Sequence, residues 1–190
     1  NFEFCCARGD VVSGLLAQMH RESNLGRSLR VVEVGVWIAQ TSKAVHGVMR
    51  DQNISMEYYG VDPYPEFDEP WMHDVRRTAL NWYADEHIRF LEVESLKAPA
   101  LFDDDFFDLL FLDSNHDAGT GLELLAWYPK IRPGGIIVGH DFVNTWPIQH
   151  IVMDVFCQLE NERLGNDDCG DGSKPFFLGA DSTFYWYKSI

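Results

Sequence analysis

Short apolar runs rich in β-branched and aromatic residues recur along this chain with longer amphipathic stretches between them, and that alternation limits what it can fold into. The runs are Arg30–Val34, Glu57–Val61, Ile88–Val93, Phe107–Leu112 and Gly135–Gly139. Apolar residues on consecutive positions suit strands covered on both faces, and strands alternating with helices predict a parallel sheet. Helices are expected near 10–23, 40–51, 71–86, 96–102 and 118–130, with a last one from Pro147 to about Glu162. The end breaks the rhythm. Pro175–Gly179 and Thr183–Lys188 are strand-like with only Ala180-Asp181-Ser182 between them, which predicts a hairpin. The expected fold is α/β: a Rossmann-like, doubly wound sheet of five parallel-type strands plus a C-terminal antiparallel hairpin, seven strands in all, with helices on both faces. At 190 residues one domain is the default, with 1–29 an N-terminal helical segment and 30–190 the core.

Charge and cysteine content narrow the function. Fifteen Lys+Arg against thirty Asp+Glu give a net charge of −15, which repels phosphate backbones, so nucleic acid is not expected as a partner. No apolar run approaches the ~20 residues that span a bilayer, so no membrane partner is expected either. The first residues lack a basic-then-apolar signal pattern, and a start without Met leaves room for a removed targeting segment. There is no C-x-x-C pair for zinc or redox work. Cys157 and Cys169 are close enough in sequence to be bridged in an oxidising compartment, but reduced thiols and a cytoplasmic setting are the expectation.

In an open parallel sheet, ligands bind outside the carboxyl ends of the strands. The first strand ends in Glu33-Val34-Gly35-Val36-Trp37, where a glycine turn lets a ligand approach the backbone beside a helix start. The second ends in Gly60-Val61-Asp62-Pro63, an acid suited to a ribose diol. After the third come Glu94 and Ser95: Ser95 is either a helix cap or a ligand contact, and Glu94 can face an adenine amino group. The fourth ends in Asp113-Ser114-Asn115-His116-Asp117 and the fifth in Gly139-His140-Asp141, two polar clusters on strands expected to be neighbours.

Taken in order, Glu-x-Gly, Gly-Val-Asp-Pro, Phe-Asp-Leu-Leu-Phe-Leu-Asp and Arg-Pro-Gly-Gly-Ile-Ile-Val-Gly-His-Asp make the chain resemble a class I S-adenosylmethionine-dependent methyltransferase. Within that class it is similar to the methyltransferase domain 24 type and to metal-dependent O-methyltransferases related to catechol O-methyltransferase. The resemblance covers about residues 30–160 and the terminal hairpin. It implies that Glu33 holds the amino group of the cofactor's methionine end, that Gly35, Val36 and Trp37 lie beneath that end, that Asp62 binds the ribose, and that Glu94 and Ser95 read the adenine. It implies that Asp113, with His140 and Asp141 in the place of an Asp-Asn pair, ligates a divalent metal, magnesium or manganese, that activates an acceptor oxygen. Asp113 serves the cofactor alone in relatives without metal. His116 falls where relatives carry a lysine as general base, so His116 and Asp113 are the expected catalytic residues. One departure stands out: the second glycine of the family's first motif is Ala39 here.

The expected activity is therefore methyl transfer to the oxygen of a hydroxylated small-molecule acceptor. A dinucleotide-binding oxidoreductase fits less well, because the first turn lacks G-x-G-x-x-G and a terminal hairpin is foreign to that fold. A catalytically degenerate methyltransferase fold that binds a cofactor or a protein partner is the remaining alternative, supported by Ala39. Pro63–Trp71 with Asn144–Trp146 is expected to form an acceptor lid, whereas Trp71, Trp82 and Trp127 read singly as packing residues. His20, His46, His73, His87 and His150 are expected to be structural or at the surface. The N-terminal segment and the hairpin edge leave room for a homodimer.

Overall fold

The computed structural model describes residues 6–23, 26–64, 70–84, 88–114, 117–143, 148–161 and 176–190. The elements run α1 (Cys6–Glu22), β1 (Leu29–Val34), α2 (Gln40–Asp51), β2 (Met56–Val61), α3 (Pro70–Trp82), β3 (Ile88–Leu91), β4 (Phe107–Leu112), α4 (Gly119–Trp127), β5 (Ile131–Gly139), α5 (Ile148–Asn161), β6 (Phe177–Leu178) and β7 (Phe184–Tyr187). Two single 3-10 turns, Ala98–Leu101 and Tyr128–Lys130, complete the order. The seven strands form one sheet in the order β3-β2-β1-β4-β5-β7-β6. The pairs among β1 to β5 are parallel, and β7 is antiparallel to both β5 and β6. The expected α/β, doubly wound arrangement with its terminal hairpin is the observed one.

Side-chain alternation sorts the core into two layers. Val31, Tyr58, Leu109, Phe111 and Ile136 face Leu16 of α1, Val45 and Met49 of α2 and Ala79 of α3. Val32, Val34, Leu110, Leu112 and Ile137 face Leu124 and Trp127 of α4 and Val152 and Phe156 of α5. Both sheet faces are therefore dry, which is why these strands read as continuous apolar runs. The chain winds outward from β1 to β3, then crosses back to place β4 on the other side of β1. That reversal opens a crevice between the carboxyl ends of β1 and β4, where a ligand site is expected in such sheets.

Two local readings are corrected. The stretch expected to be helical over 96–102 makes only one 3-10 turn, Ala98–Leu101; Pro99 removes an amide and the segment is too short to propagate. The fifth strand, expected over Gly135–Gly139, starts earlier, and Arg132-Pro133-Gly134-Gly135 lies inside β5. The register between β4 and β5 slips there, Gly134 takes φ 72°, and its N–H bonds Lys188 O at 2.9 Å while Lys188 N–H bonds Gly135 O at 2.8 Å. A bulge absorbs residues that sequence alone reads as a break. Residues 144–147, which include part of the expected acceptor lid, and residues 162–175 lie outside the described residues.

The same bulge contributes to a buried ion cluster at the amino ends of the strands, the opposite end of the sheet from the crevice. Asp108 of β4, fully buried, accepts hydrogen bonds from Arg27 (2.7 and 2.9 Å), from Arg132 Nε (2.5 Å) and from the Arg30 backbone N–H (2.7 Å). Burial alone would raise its pKa; hydrogen bonds from Arg27, Arg132 and the Arg30 N–H outweigh that and hold the carboxyl below the usual range. The cluster ties the amino ends of β1 and β5 to β4. Asp108→Ala leaves two arginines without their shared counter-charge, and its expected cost in urea denaturation is about 3–5 kcal/mol.

Candidate active site

The crevice at the carboxyl ends of the strands is a cleft of about 750 Å³. Gly35 and Trp37 line it from the loop after β1, and Val61, Asp62 and Pro63 from β2. Glu94, Ser95 and Leu96 follow β3, Asp113 and Ser114 follow β4, and His140 and Asp141 follow β5. Arg8 of α1 and Glu123 of α4 complete the wall. A small recess of about 40 Å³ opens beside it, lined by Glu33, Val36, Gly35, Trp37, Arg8 and Asp113 among others. Every expected site residue among the described ones thus borders one of two adjoining spaces. His116 lies outside the described residues.

The loop from β1 to α2 is held against the sheet by backbone geometry. Gly35 has φ 88°, and a Cβ on it would stand 2.2 Å from the Asp113 carbonyl oxygen. No residue with a side chain fits there. Trp37 (φ 52°) and Ala39 (φ 60°) are also left-handed, which costs a non-glycine residue roughly 1–2 kcal/mol. Ala39 replaces the family's second glycine at the very position where a glycine would remove that cost. Its methyl is fully buried, so it is accommodated by packing. Asp62 holds the loop in place: its carboxylate accepts hydrogen bonds from the N–H groups of Val36 (3.0 Å), Trp37 (3.1 Å) and Tyr64 (3.0 Å). The Tyr64 hydroxyl donates to the Trp37 carbonyl.

Glu33 stands at the recess but is only 1% exposed. Its carboxyl takes hydrogen bonds from the hydroxyls of Ser42, Tyr58 (2.8 Å) and Tyr83 (3.3 Å). It forms no ion pair with any described residue. Burial pushes its pKa up, the three hydroxyls oppose this, Asp113's charge adds to it, and the balance is about 8. At neutral pH the carboxyl is therefore largely protonated.

Glu123 was not singled out from the sequence. It is fully buried, and it joins two strand ends by accepting hydrogen bonds from Ser95 Oγ and from Ser114 Oγ (2.6 Å). An acid within the apolar stretch Gly-Leu-Glu-Leu-Leu-Ala-Trp is the signal that could have found it. Glu94, by contrast, is exposed at the cleft rim and pairs with Lys97 at 2.9 Å.

One ligating atom each from Asp113, His140 and Asp141 lies within 4.8 Å of the others. His140 Nδ1 is 3.3 Å from Asp113 Oδ1 and 3.1 Å from Asp141 Oδ1. Its Nε2 is 3.5 Å from Asp181 Oδ2, an ion-pair distance without hydrogen-bond geometry. Burial alone would pull the imidazole down; hydrogen bonds to Asp113 and Asp141 outweigh this and push it up to about 10. Two carboxylates and an imidazole converging on one point match the donor preference of a divalent first-row ion. Arg8, which no sequence pattern picked out, enters the same cluster with Nη1 3.3 Å from Asp113 Oδ2 and 3.4 Å from His140 Nδ1.

At the cleft mouth Trp37 and Trp71 pack against each other, with ring centroids 5.6 Å apart, and both are about half exposed (49% and 50%). Trp71, read singly as a packing residue, is corrected: it stands at the surface beside the cleft. Trp127 is fully buried, and Trp82 packs edge-on against His46 at 5.8 Å. His20, His73 and His150 are exposed. Cys157, expected as a reduced thiol, is disulfide-bonded. Helix α5 places it at the edge of the core.

Such a sheet, with a glycine turn after β1, an acid at the end of β2 and a polar cluster at the ends of β4 and β5, defines a class I methyltransferase-like protein. A family model described as a methyltransferase domain matches residues 32–142, and the chain belongs to that family, whose cofactor is S-adenosylmethionine. Solved structures are similar in fold. The O-methyltransferase NovP superposes with a TM-score of 0.71 at 17% identity, covering 96% of this chain and 80% of NovP. A Staphylococcus aureus protein assigned as a caffeoyl-CoA O-methyltransferase gives 0.60 at 14% identity, covering 96% and 83%. The CurJ carbon methyltransferase gives 0.61 at 11%, covering 96% of this chain and 54% of that one. No curated protein sequence matches the chain. Among the described residues, no helix is long and apolar enough to cross a membrane.

The Glu33 geometry predicts an unusual pH response. A carboxyl whose folded pKa lies above its unfolded one contributes its stabilisation fully below the unfolded value, near 4.5, and loses it as pH rises through the folded value, about 8. The folded state should therefore weaken on the order of several kcal/mol across that window. In Glu33→Gln, which keeps an acceptor for the hydroxyls, urea midpoints measured from pH 5 to 8.5 should lose most of that slope.

Proposed function

We propose that this protein transfers a methyl group from S-adenosylmethionine to the oxygen of a hydroxylated small molecule. The observation that carries the reading is the convergence of Asp113, His140 and Asp141 at the end of β4 and β5, facing across one cleft the Gly35 loop and Asp62. Asp62 serves twice in this account, holding three amides and offering its remaining lone pair, on Oδ1, to the ribose. Glu33 and the backbone of Gly35, Val36 and Trp37 receive the methionine end in the recess. Glu94 and Ser95, with Glu123 fixing the serine, bound the adenine side.

Asp113, His140 and Asp141 are the residues that would hold a divalent ion, which supplies polarisation of the acceptor oxygen and so lowers its pKa. His116, three positions beyond Asp113, is assigned the removal of the acceptor proton. The protein's own contribution is then largely positional, since methyl transfer is an in-line displacement and alignment of the two reactants supplies much of the rate. The exposed pair Trp37–Trp71, its rings tilted to one another, offers an apolar aromatic surface for the acceptor. The net charge of −15 disfavours a polyanionic acceptor and favours a neutral or cationic one.

Calorimetric titration with S-adenosylhomocysteine tests the cofactor half directly. The expected result is micromolar binding that weakens at least tenfold in Asp62→Ala. Glu33 adds a second signature: an ammonium group arriving beside a carboxyl that is protonated at pH 7 drives the proton off. Heats measured at pH 7 in buffers of different ionisation enthalpy should therefore report proton release, and Glu33→Gln should remove it. Absence of binding in all buffers would leave the fold serving as a partner-binding module instead.

A further inference from the structure

Arg8 takes no part in the reading above, yet its side chain enters the middle of the acidic cluster. It reaches there from the first turns of α1, far from Asp113 and His140 in sequence. Its backbone is fixed by packing: a Cβ on the next residue, Gly9, would stand 2.7 Å from Ala44 Cβ of α2, and Val12, Leu15 and Leu16 are buried in the core beyond it. The close approach of α1 to α2 thus aims Arg8 at the ends of β4 and β5.

The guanidinium occupies the ligand side of the cluster. Nη1 lies 3.3 Å from Asp113 Oδ2 and 3.4 Å from His140 Nδ1, so it meets two of the three candidate metal-ligating groups. A cation bound by Asp113, His140 and Asp141 must approach both of those groups, and Nη1 already stands 3.3 and 3.4 Å from them, so the two positive charges would repel at short range.

Arg8 is also incompletely held. Its Nε is buried without a hydrogen-bond partner, and the fork does not engage Asp113 through two parallel bonds, the arrangement in which arginine holds a carboxylate most firmly. A guanidinium contributing one long contact to a single carboxylate and one to an imidazole is a weaker occupant than a doubly charged ion directly ligated by two carboxylates. Arg8 lines both the cleft and the recess, so there is open space beside its present position for the displaced group.

We propose that Arg8 is an internal cation that competes with a divalent metal for the Asp113–His140–Asp141 cradle, and so sets the metal affinity of the site. This rests on the metal-assisted reading above but concerns a residue outside it. The guanidinium balances the Asp113 carboxylate when no metal is bound, and a metal enters by displacing it. Removing the charge from position 8 should therefore tighten metal binding without any change in the ligands.

The test is titration of the metal-stripped full chain with Mn²⁺, read from the paramagnetic resonance signal of the free ion. Arg8→Met and Arg8→Gln, two ways of removing the charge at similar length, should bind one Mn²⁺ at least tenfold more tightly than the wild type. Arg8→Lys, which keeps a charge, should stay within about threefold of wild type. The gain should vanish when Asp141→Asn is added to either neutral variant. Equal Mn²⁺ affinity in wild type and both neutral variants would overturn the proposal. So would a gain that survives Asp141→Asn, or no Mn²⁺ binding in either neutral variant. Thermal melting of each variant confirms that a folded protein is being titrated, and two neutral variants guard against one failing to fold. S-adenosylhomocysteine binding on the same samples separates the claims. Cofactor binding with no Mn²⁺ gain defeats the Arg8 assignment alone, whereas an Asp141-dependent gain without cofactor binding defeats the methyltransferase reading alone.

Discussion

The site depends on one close approach, that of Gly35 to the backbone of Asp113 across the crevice between β1 and β4. A Cβ at Gly35 would stand 2.2 Å from the Asp113 carbonyl, so the first loop can lie against the end of β4 only without a side chain there. That approach is possible because the sheet order reverses between these two strands, which leaves their carboxyl ends uncovered by a crossover helix. The loop then turns through two further left-handed residues, Trp37 and Ala39, and Asp62 binds its amides from the neighbouring strand. Backbone conformations that cost free energy gather around the one place where a ligand must meet the main chain.

Acids at this end of the sheet are handled in three physical ways. Glu33 is sealed among hydroxyls with no counter-charge, so its proton is retained to about pH 8. Glu123 is buried as a tie between Ser95 and Ser114. Asp113 and Asp141 meet basic groups, His140 and Arg8 in the first case and His140 in the second. At the far end of the sheet Asp108 shows a fourth treatment, paired with two arginines and committed to holding strands together. The same side-chain chemistry thus yields a proton store, a strut, a cation cradle and a structural pin, according to what surrounds each carboxyl.

Much of the fold was legible because local pattern and global role agree in it. Phe107–Leu112 is buried at every position, and its run of apolar residues around Asp108 reads as a covered strand with no ambiguity of period. The places that misread are those where one residue type admits two structures. Arg132-Pro133-Gly134-Gly135 suits a turn, but pairing with β4 on one side and with Lys188 on the other holds it as a bulged strand. Trp71 suits a core, yet α3 presents it beside Trp37 at the cleft mouth. Cys157 suits a free thiol by composition and is disulfide-bonded.

By itself the sequence determined the order of strands and helices, the terminal hairpin, and the polar residue closing each strand, because hydrophobic period and turn chemistry are local properties. It thereby determined the family, and with it the cofactor. Only the tertiary structure decided which acids keep their protons and which meet a cation, because those depend on desolvation and on groups distant in the chain. Arg8 is the clearest instance: nothing around it in sequence marks it, and the packing of Gly9 on Ala44 alone delivers its charge to Asp113.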